Sequence, residues 1–195
     1  ELSPMPNAAG WNNSNVTVSF TCADIGSVQS GIASNNLTGG TVTVDTPFAG
    51  TTVSSGGSCF DSAGNSAPQT SGLVKLDKTP PTANITNGPP AASQNRDPSF
   101  SFNGIDALSG LNGFECSLDN APFAACSAPA SYTNLGVGPH NFRVRALDVA
   151  GNAGLPAISN FTILSTPTIS KSFGASSILV GENTTVTLTL SNSNA

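Results

Sequence analysis

Charge is what this chain most lacks: Lys, Arg, Asp and Glu make up 9% of its 195 residues, where about a quarter is usual for globular proteins. Aromatic residues are 6%, with one Trp, one Tyr, one Met and one His. No run of eighteen apolar residues occurs, so direct insertion into a membrane by a helix is not expected. The opening residues Glu1-Leu2-Ser3-Pro4 have neither the basic start nor the apolar stretch of a signal peptide, so the chain reads as soluble, with any export signal or anchor lying outside it. Six Lys and Arg against eleven Asp and Glu give a net charge of −5, which leaves no basic patch for phosphates. Nucleic acid and anionic membrane surfaces are therefore poor partners. What fills the space is Ser, Thr, Asn and Gly, the composition of solvated strands and turns.

Four cysteines fall into two pairs, Cys22 with Cys59 and Cys116 with Cys126, and none has the two-residue spacing of a zinc or thioredoxin-like site. Two disulfides formed in an oxidising compartment is the better reading, and four reduced, buried small hydrophobes is the competing one.

The chain resembles itself. Asn15 to Gly31 (NVTVSFTCADIGSVQSG) matches Asp97 to Gly110 (DPSFSFNGIDALSG), and Cys59 to Asn65 (CFDSAGN) matches Ala146 to Asn152 (ALDVAGN). The offsets are 82 residues from Asp24 to Asp106 and 87 from Asp61 to Asp148. Such a period predicts tandem domains, placed at 1–78 and 79–164, with Leu76-Asp77-Lys78-Thr79-Pro80-Pro81 as a stiff linker between them. Residues 165–195 carry two more strand candidates, Thr168 to Phe173 and Thr184 to Leu190, and read as an incomplete third sandwich or strand pair.

Inside each copy the signal is period two. Val16, Val18, Phe20 and Cys22 face one way and Thr17, Ser19 and Thr21 the other; Phe100 and Phe102 alternate likewise, as do Phe114, Cys116 and Leu118. Phe142, Val144 and Ala146 alternate with Arg143 and Arg145, which are expected to project into water. About seven such strands per copy, separated by Gly, Pro, Asn and Asp turns, predict an all-β chain of tandem immunoglobulin-like β-sandwiches.

The residues that carry a resemblance are WNNSNVTVSFTCAD and SCFDSAGN before LDKTPP in the first copy, and SFSFNGIDALSGLNGFECSLDNAPFAACSAPASYTNLGVGPHNFRVRALDVAGN in the second. They resemble bacterial Ig-like repeats of secreted and surface proteins. The tail PTISKSFGASSILVGENTTVTLTLSN is similar to the opening of surface-protein repeats that start with a Lys-Ser strand and a Gly-Glu turn. This resemblance implies an extracellular, non-catalytic stalk, adhesin or fibre role.

In an Ig topology Cys22 and Cys59 lie on strands B and F, and Asp24 and Asp61 each follow by two residues, so a bridge brings both carboxylates to one end. Asp106 and Asp148 hold the equivalent places in the second copy. That end faces the preceding domain, which sets Asp106, Asp148 and Asn152 beside Asp77. Hard oxygens clustered this way suit calcium, which takes six to eight of them at about 2.3–2.6 Å. The competing reading is turn chemistry, because Asp and Asn in D-x-A-G-N turns bond their own backbone while Gly64 and Gly151 supply positive φ.

His140 has no G-x-S-x-G serine to serve and reads as the start of a strand; Gly136-Val137-Gly138 precedes a strand rather than a helix and carries no dinucleotide signal. Trp11 and Tyr132 could stack on sugars only from an exposed platform, and Trp11 is better read as packing. Lys171 would need a partner strand beyond Ala195 to form an isopeptide cross-link and reads as a solvated strand residue. Sequons at Asn12, Asn15, Asn36, Asn84, Asn160 and Asn183 arise readily in so Thr-rich a chain. Three functions follow from this sequence: a stalk segment of a surface protein, a fibre subunit that pairs strands through 165–195, and a carbohydrate-binding accessory module. The partners expected are neighbouring domains or copies of the same protein, and host or surface glycans.

Overall fold

Hydroxyl-bearing and apolar residues alternate into strands along the whole chain, and no helix forms among the described residues. The computed structural model describes residues 1–25 and 28–192; the Gly26-Ser27 step of the first repeat and the end of the chain at Ala195 lie outside the described residues.

The first sandwich is built from β1 (Leu2–Ser3), β2 (Val16–Val18), β3 (Ile32–Asn35), β4 (Gly40–Val42), β5 (Thr51–Ser54), β6 (Cys59–Asp61) and β7 (Ser71–Val74). One sheet has the order β1-β2-β4; facing it, β3 pairs with β6 and β5 with β7. The second sandwich runs from β8 (Thr82–Asn87) through β9 (Ala92–Ser93), β10 (Ser99–Ile105), β11 (Leu111–Leu118), β12 (Ala124–Cys126), β13 (Ala130–Ser131) and β14 (Gly138–Asp148) to β15 (Ala157–Ile163). Its sheets are β13-β10-β8 and β12-β11-β14-β15-β9.

The two copies differ most along one strand. β14 is continuous over 11 residues, pairing with β15 by its first half and with β11 by its second. The matching segment of the first copy is cut into β5 and β6 by Ser55-Gly56-Gly57-Ser58. Gly57 has φ 74° and lies against the Asn36 carbonyl, where a side chain would collide. The ladder breaks there because only glycine accepts that conformation.

Each sandwich has its own core. In the second, Phe100, Phe102, Phe142, Val144, Phe161 and Ile163 are buried, and Phe100 stacks on Phe142 with ring centroids 4.0 Å apart. In the first the core cluster is Val16, Val18, Val74 and Leu76. At about 1.5–3 kcal/mol per buried side chain, the first core has much less apolar burial to set against chain entropy. Its disulfide matters accordingly. Cys22 and Cys59 are bridged, with Cα atoms 6.0 Å apart and a sequence separation of 37, tying the β2 side to β6. The β2 ladder ends at Val18, yet burial keeps alternating through Phe20, Cys22 and Asp24. Cys116 and Cys126 are bridged across the β11–β12 hairpin, whose five-residue connection opens with a turn that places Asp119 and Asn120 both at positive φ and is closed by the Ala121 amide on the Leu118 carbonyl.

Arg143 and Arg145 are not simply in water. Both are half-buried, with guanidinium carbons 5.1 and 4.4 Å from the Phe123 ring centroid. Arg143 donates to Ser117 Oγ, and Arg145 pairs with Glu115. The aromatic ring covers the outer face that period-two reading assigns to solvent.

After β15, β16 (Thr168–Phe173) and β17 (Val186–Ser191) pair only with each other. Their register puts Ile169, Phe173, Val186, Leu188 and Leu190 on one face, with Lys171 among them, and hydroxyl residues on the other. The apolar face is open: Leu190 is 74% exposed.

Candidate functional site

Strands β10 and β14 lie in opposite sheets and end at the same pole of the second sandwich, so the residues that close them meet there. Asp106 follows β10 and its Oδ2 accepts the amides of Leu108 and Gly110 at 3.0 and 2.6 Å. Asp148 ends β14; its Oδ1 accepts the amides of Gly151 and Asn152, both at 2.7 Å, and its Oδ2 accepts Asn152 Nδ2 at 2.7 Å. Each carboxylate therefore organises its own turn.

Into this pole comes the exit of the first sandwich. Leu76 bridges Asn12, and Asp77 donates its amide to the Asn12 carbonyl. Asp77 Oδ2 accepts the Ser109 amide at 2.9 Å, its Oδ1 accepts the Thr79 amide at 3.0 Å, and its carbonyl accepts Asn152 Nδ2 at 2.8 Å. A second contact lies alongside, from Asn7 Nδ2 to the Val149 carbonyl at 2.8 Å. The linker is held tightly: Pro81 is buried, and a side chain at Gly154 would collide with the Pro81 carbonyl.

Asp77, Asp106 and Asp148 each offer an oxygen within 4.8 Å of the others. Asp77 is 0% and Asp148 1% exposed. Among the described residues the ion pairs are His140–Asp119 and Arg145–Glu115, so no cation of the chain pairs with this trio. The two buried carboxyl groups, Asp77 and Asp148, are held by N–H donors alone, and burial of such a polar group is tolerated only where partners of this kind satisfy it. The three carboxylates are hard oxygen ligands of the kind calcium takes, while Asn152 turns its Nδ2 toward Asp148 Oδ2 and the Asp77 carbonyl and offers them a donor.

Asp24 and Asp61 lie elsewhere. They share a small pocket at the far pole of the first sandwich, where Asp24 Oδ2 accepts the Gly31 amide and Asp61 accepts both the amide and the side chain of Asn65. The side-chain bond from Asn65, with backbone amides behind it, lowers the pKa of Asp61.

The second polar cluster centres on His140, inside β14. Its Nδ1 is 2.8 Å from Asp119 Oδ2 and its Nε2 2.9 Å from the Gly136 carbonyl, and the ring stacks on Phe161 at 5.4 Å. Both ring nitrogens face acceptors, so only the imidazolium satisfies both. The Gly136 bond raises the pKa above the ordinary 6.5, burial opposes it, and Asp119 adds to the rise. The folded state thus binds this proton more tightly than the unfolded chain does. Its stabilisation is complete below pH about 6.5 and fades as pH rises through the folded pKa. The melting temperature of the second sandwich is expected to fall across that window, and His140→Gln to flatten the dependence. A pH-independent melt of the unaltered chain would contradict the role of the His140 bonds to Asp119 and Gly136.

Trp11 and Tyr132 form no shared platform. Trp11 is 3% exposed and packs beside Phe48, while Tyr132 meets Phe100 and Phe142 edge-on in the second core. Lys171 reaches over Phe173 at 4.8 Å on the exposed hairpin.

No family model matches the chain, and no curated protein matches it. The chain is similar to a solved structure of Clostridium thermocellum CbhA fibronectin(III)-like modules, with 14% identity, a TM-score of 0.43, and coverage of 84% of this chain and 94% of that one.

Sequence reasoning passed over three residues of the seam: Asn7, Asn12 and Ser109. Ser109 had a signal, since it precedes the Gly that closes the Asp106 turn, as Ser30 precedes Gly31. Asn7 and Asn12 had none, because their partners are backbone groups distant in sequence.

Proposed function

We propose that this chain is a non-catalytic extracellular spacer, a segment of a bacterial surface protein in which sandwiches stack end to end. The observation that carries this reading is the burial of Asp77. A linker that merely tethered two domains would leave its one carboxylate in water; here the carboxylate accepts the Ser109 amide of the next sandwich and is fully buried. Two disulfides agree with an oxidising, extracellular setting.

Asp77→Ala removes the acceptor for Ser109 and Thr79, and is expected to let the sandwiches bend about Thr79-Pro80-Pro81. Small-angle X-ray scattering should show a shorter maximum dimension and a broader distance distribution in the variant. Identical profiles would contradict the seam.

Calcium belongs to the same reading, held by Asp77, Asp106 and Asp148 with Asn152 beside them. Millimolar calcium is expected to raise the melting temperature over that in chelator, and Asp106→Asn to abolish the rise. Equal melting in both would remove the ion and leave the hydrogen-bonded seam.

Self-assembly through 165–195 is the second reading, favoured by the open apolar face of the β16–β17 hairpin. An isolated hairpin is marginal in water, and an uncovered strand pair invites a partner.

A further inference from the structure

Five hydrogen bonds at the pole of the second sandwich that receives Asp77 recur at the far pole of the first, although the Asp24–Gly31 loop is three residues longer than Asp106–Gly110. Asp148 donates its amide to the Asn152 carbonyl at 3.1 Å, and Asp61 does so to Asn65 at 3.0 Å. Asp148 Oδ1 and Oδ2 take the amide and side chain of Asn152 at 2.7 and 2.7 Å; Asp61 takes those of Asn65 at 2.8 and 2.6 Å. Asp106 accepts the Gly110 amide at 2.6 Å and Asp24 the Gly31 amide at 2.8 Å. Val149 donates to the Gly110 carbonyl at 2.9 Å and Ser62 to the Gly31 carbonyl at 2.8 Å.

What differs is cover. Ser109 and Ala150 are each 5% exposed beneath the first sandwich, whereas their counterparts Ser30 and Ala63 are exposed. Asn152 Nδ2 donates both to Asp148 and to the Asp77 carbonyl, whereas Asn65 Nδ2 donates to Asp61 alone among the described residues. Phe60 and Ile32 are 40% and 45% exposed around it. The far pole shares these hydrogen-bonded turns with the seat that receives Asp77, and presents Ser30 and Ala63 on its surface.

We propose that this pole is a docking seat for the exit strand of another sandwich of the same kind, one that presents an apolar residue followed by Asp as Leu76-Asp77 does. The inference rests on the spacer reading above. A second copy of this chain cannot supply the segment from its folded form, because its own Asp77 is already buried; the occupant is the end of a sandwich whose exit is free. Linked in one polypeptide, such an end needs only millimolar intrinsic affinity to stay seated.

The test extends the full chain by a repeat of residues 1–82 ahead of Glu1, which preserves the Asp24-to-Asp106 spacing, and follows amide exchange at Ser30 and Ser109. Ser30 is expected to exchange at least tenfold more slowly than in the original chain. Asp77→Ala in the added copy should reverse this, and so should Asn65→Ala, a change at an exposed side chain that leaves the core untouched. Unchanged exchange at Ser30, with Ser109 protected, would overturn the seat alone. Ser109 exchanging freely in the original chain would overturn the spacer reading on which it rests.

Discussion

Replacing Cys22 and Cys59 together by alanine is expected to unfold the first sandwich while the second stays folded. The bridge closes a loop across 37 positions, for which the chain-entropy model gives roughly 3–4 kcal/mol. Small domains hold about 5–15 kcal/mol in total, and this one starts low. Its core cluster is four aliphatic side chains, and its strands are two to four residues long. In a two-dimensional NMR spectrum, resonances of Val16 to Val74 should collapse to unfolded positions under conditions where those of Phe142 and Ile163 persist. A doubly substituted chain that kept the first sandwich's dispersion would show that the core suffices without its cross-link.

The second large effect is Phe142→Ala. Phe142 is fully buried, lies flat on Phe100, and meets Phe102 and Tyr132 as well. Truncating such a residue removes its transfer free energy and leaves a cavity, at a cost of about 3–5 kcal/mol. For a domain of this size each kcal/mol moves the melting temperature by about 4–8 °C, so a loss of at least about 12 °C is expected in calorimetry. The second transition should move and the first should not. A drop of only a few degrees would mean that the aromatic stack is not what holds the two sheets together.

These two predictions mark how differently the two halves were legible. Alternation at Phe100 and Phe102, and at Phe142, Val144 and Ala146, is strong enough to place β10 and β14 and the core between them, because a strand with one buried face must alternate. The matching run in the first copy, Thr51 to Asp61, is interrupted by two glycines, and no alternation rule says that the halves still pair with β7 and β3. Arg143 and Arg145 alternate outward as they should, yet sequence period says nothing of Phe123, which folds over them from the loop just before β12. The acids at Asp106 and Asp148 could be placed at one pole from the strands that carry them. That Ser109 and Asn7 join them could not, since both contacts involve backbone atoms whose partners are set by how one sandwich seats on the next. Nor does sequence distinguish Asp61 from Asp148: the turns are alike, and only the neighbour above differs.

The central claim is that the two sandwiches are one stiff body joined at Asp77. Nitrogen-15 relaxation of the backbone measures this most directly, because it reports the rotational diffusion of each sandwich separately. A single anisotropic tensor is expected to fit the amides of β2 to β7 and β8 to β15 together, and Asp77→Ala to split it into two faster tensors. Two independent tensors in the unaltered chain would contradict the stacked spacer outright.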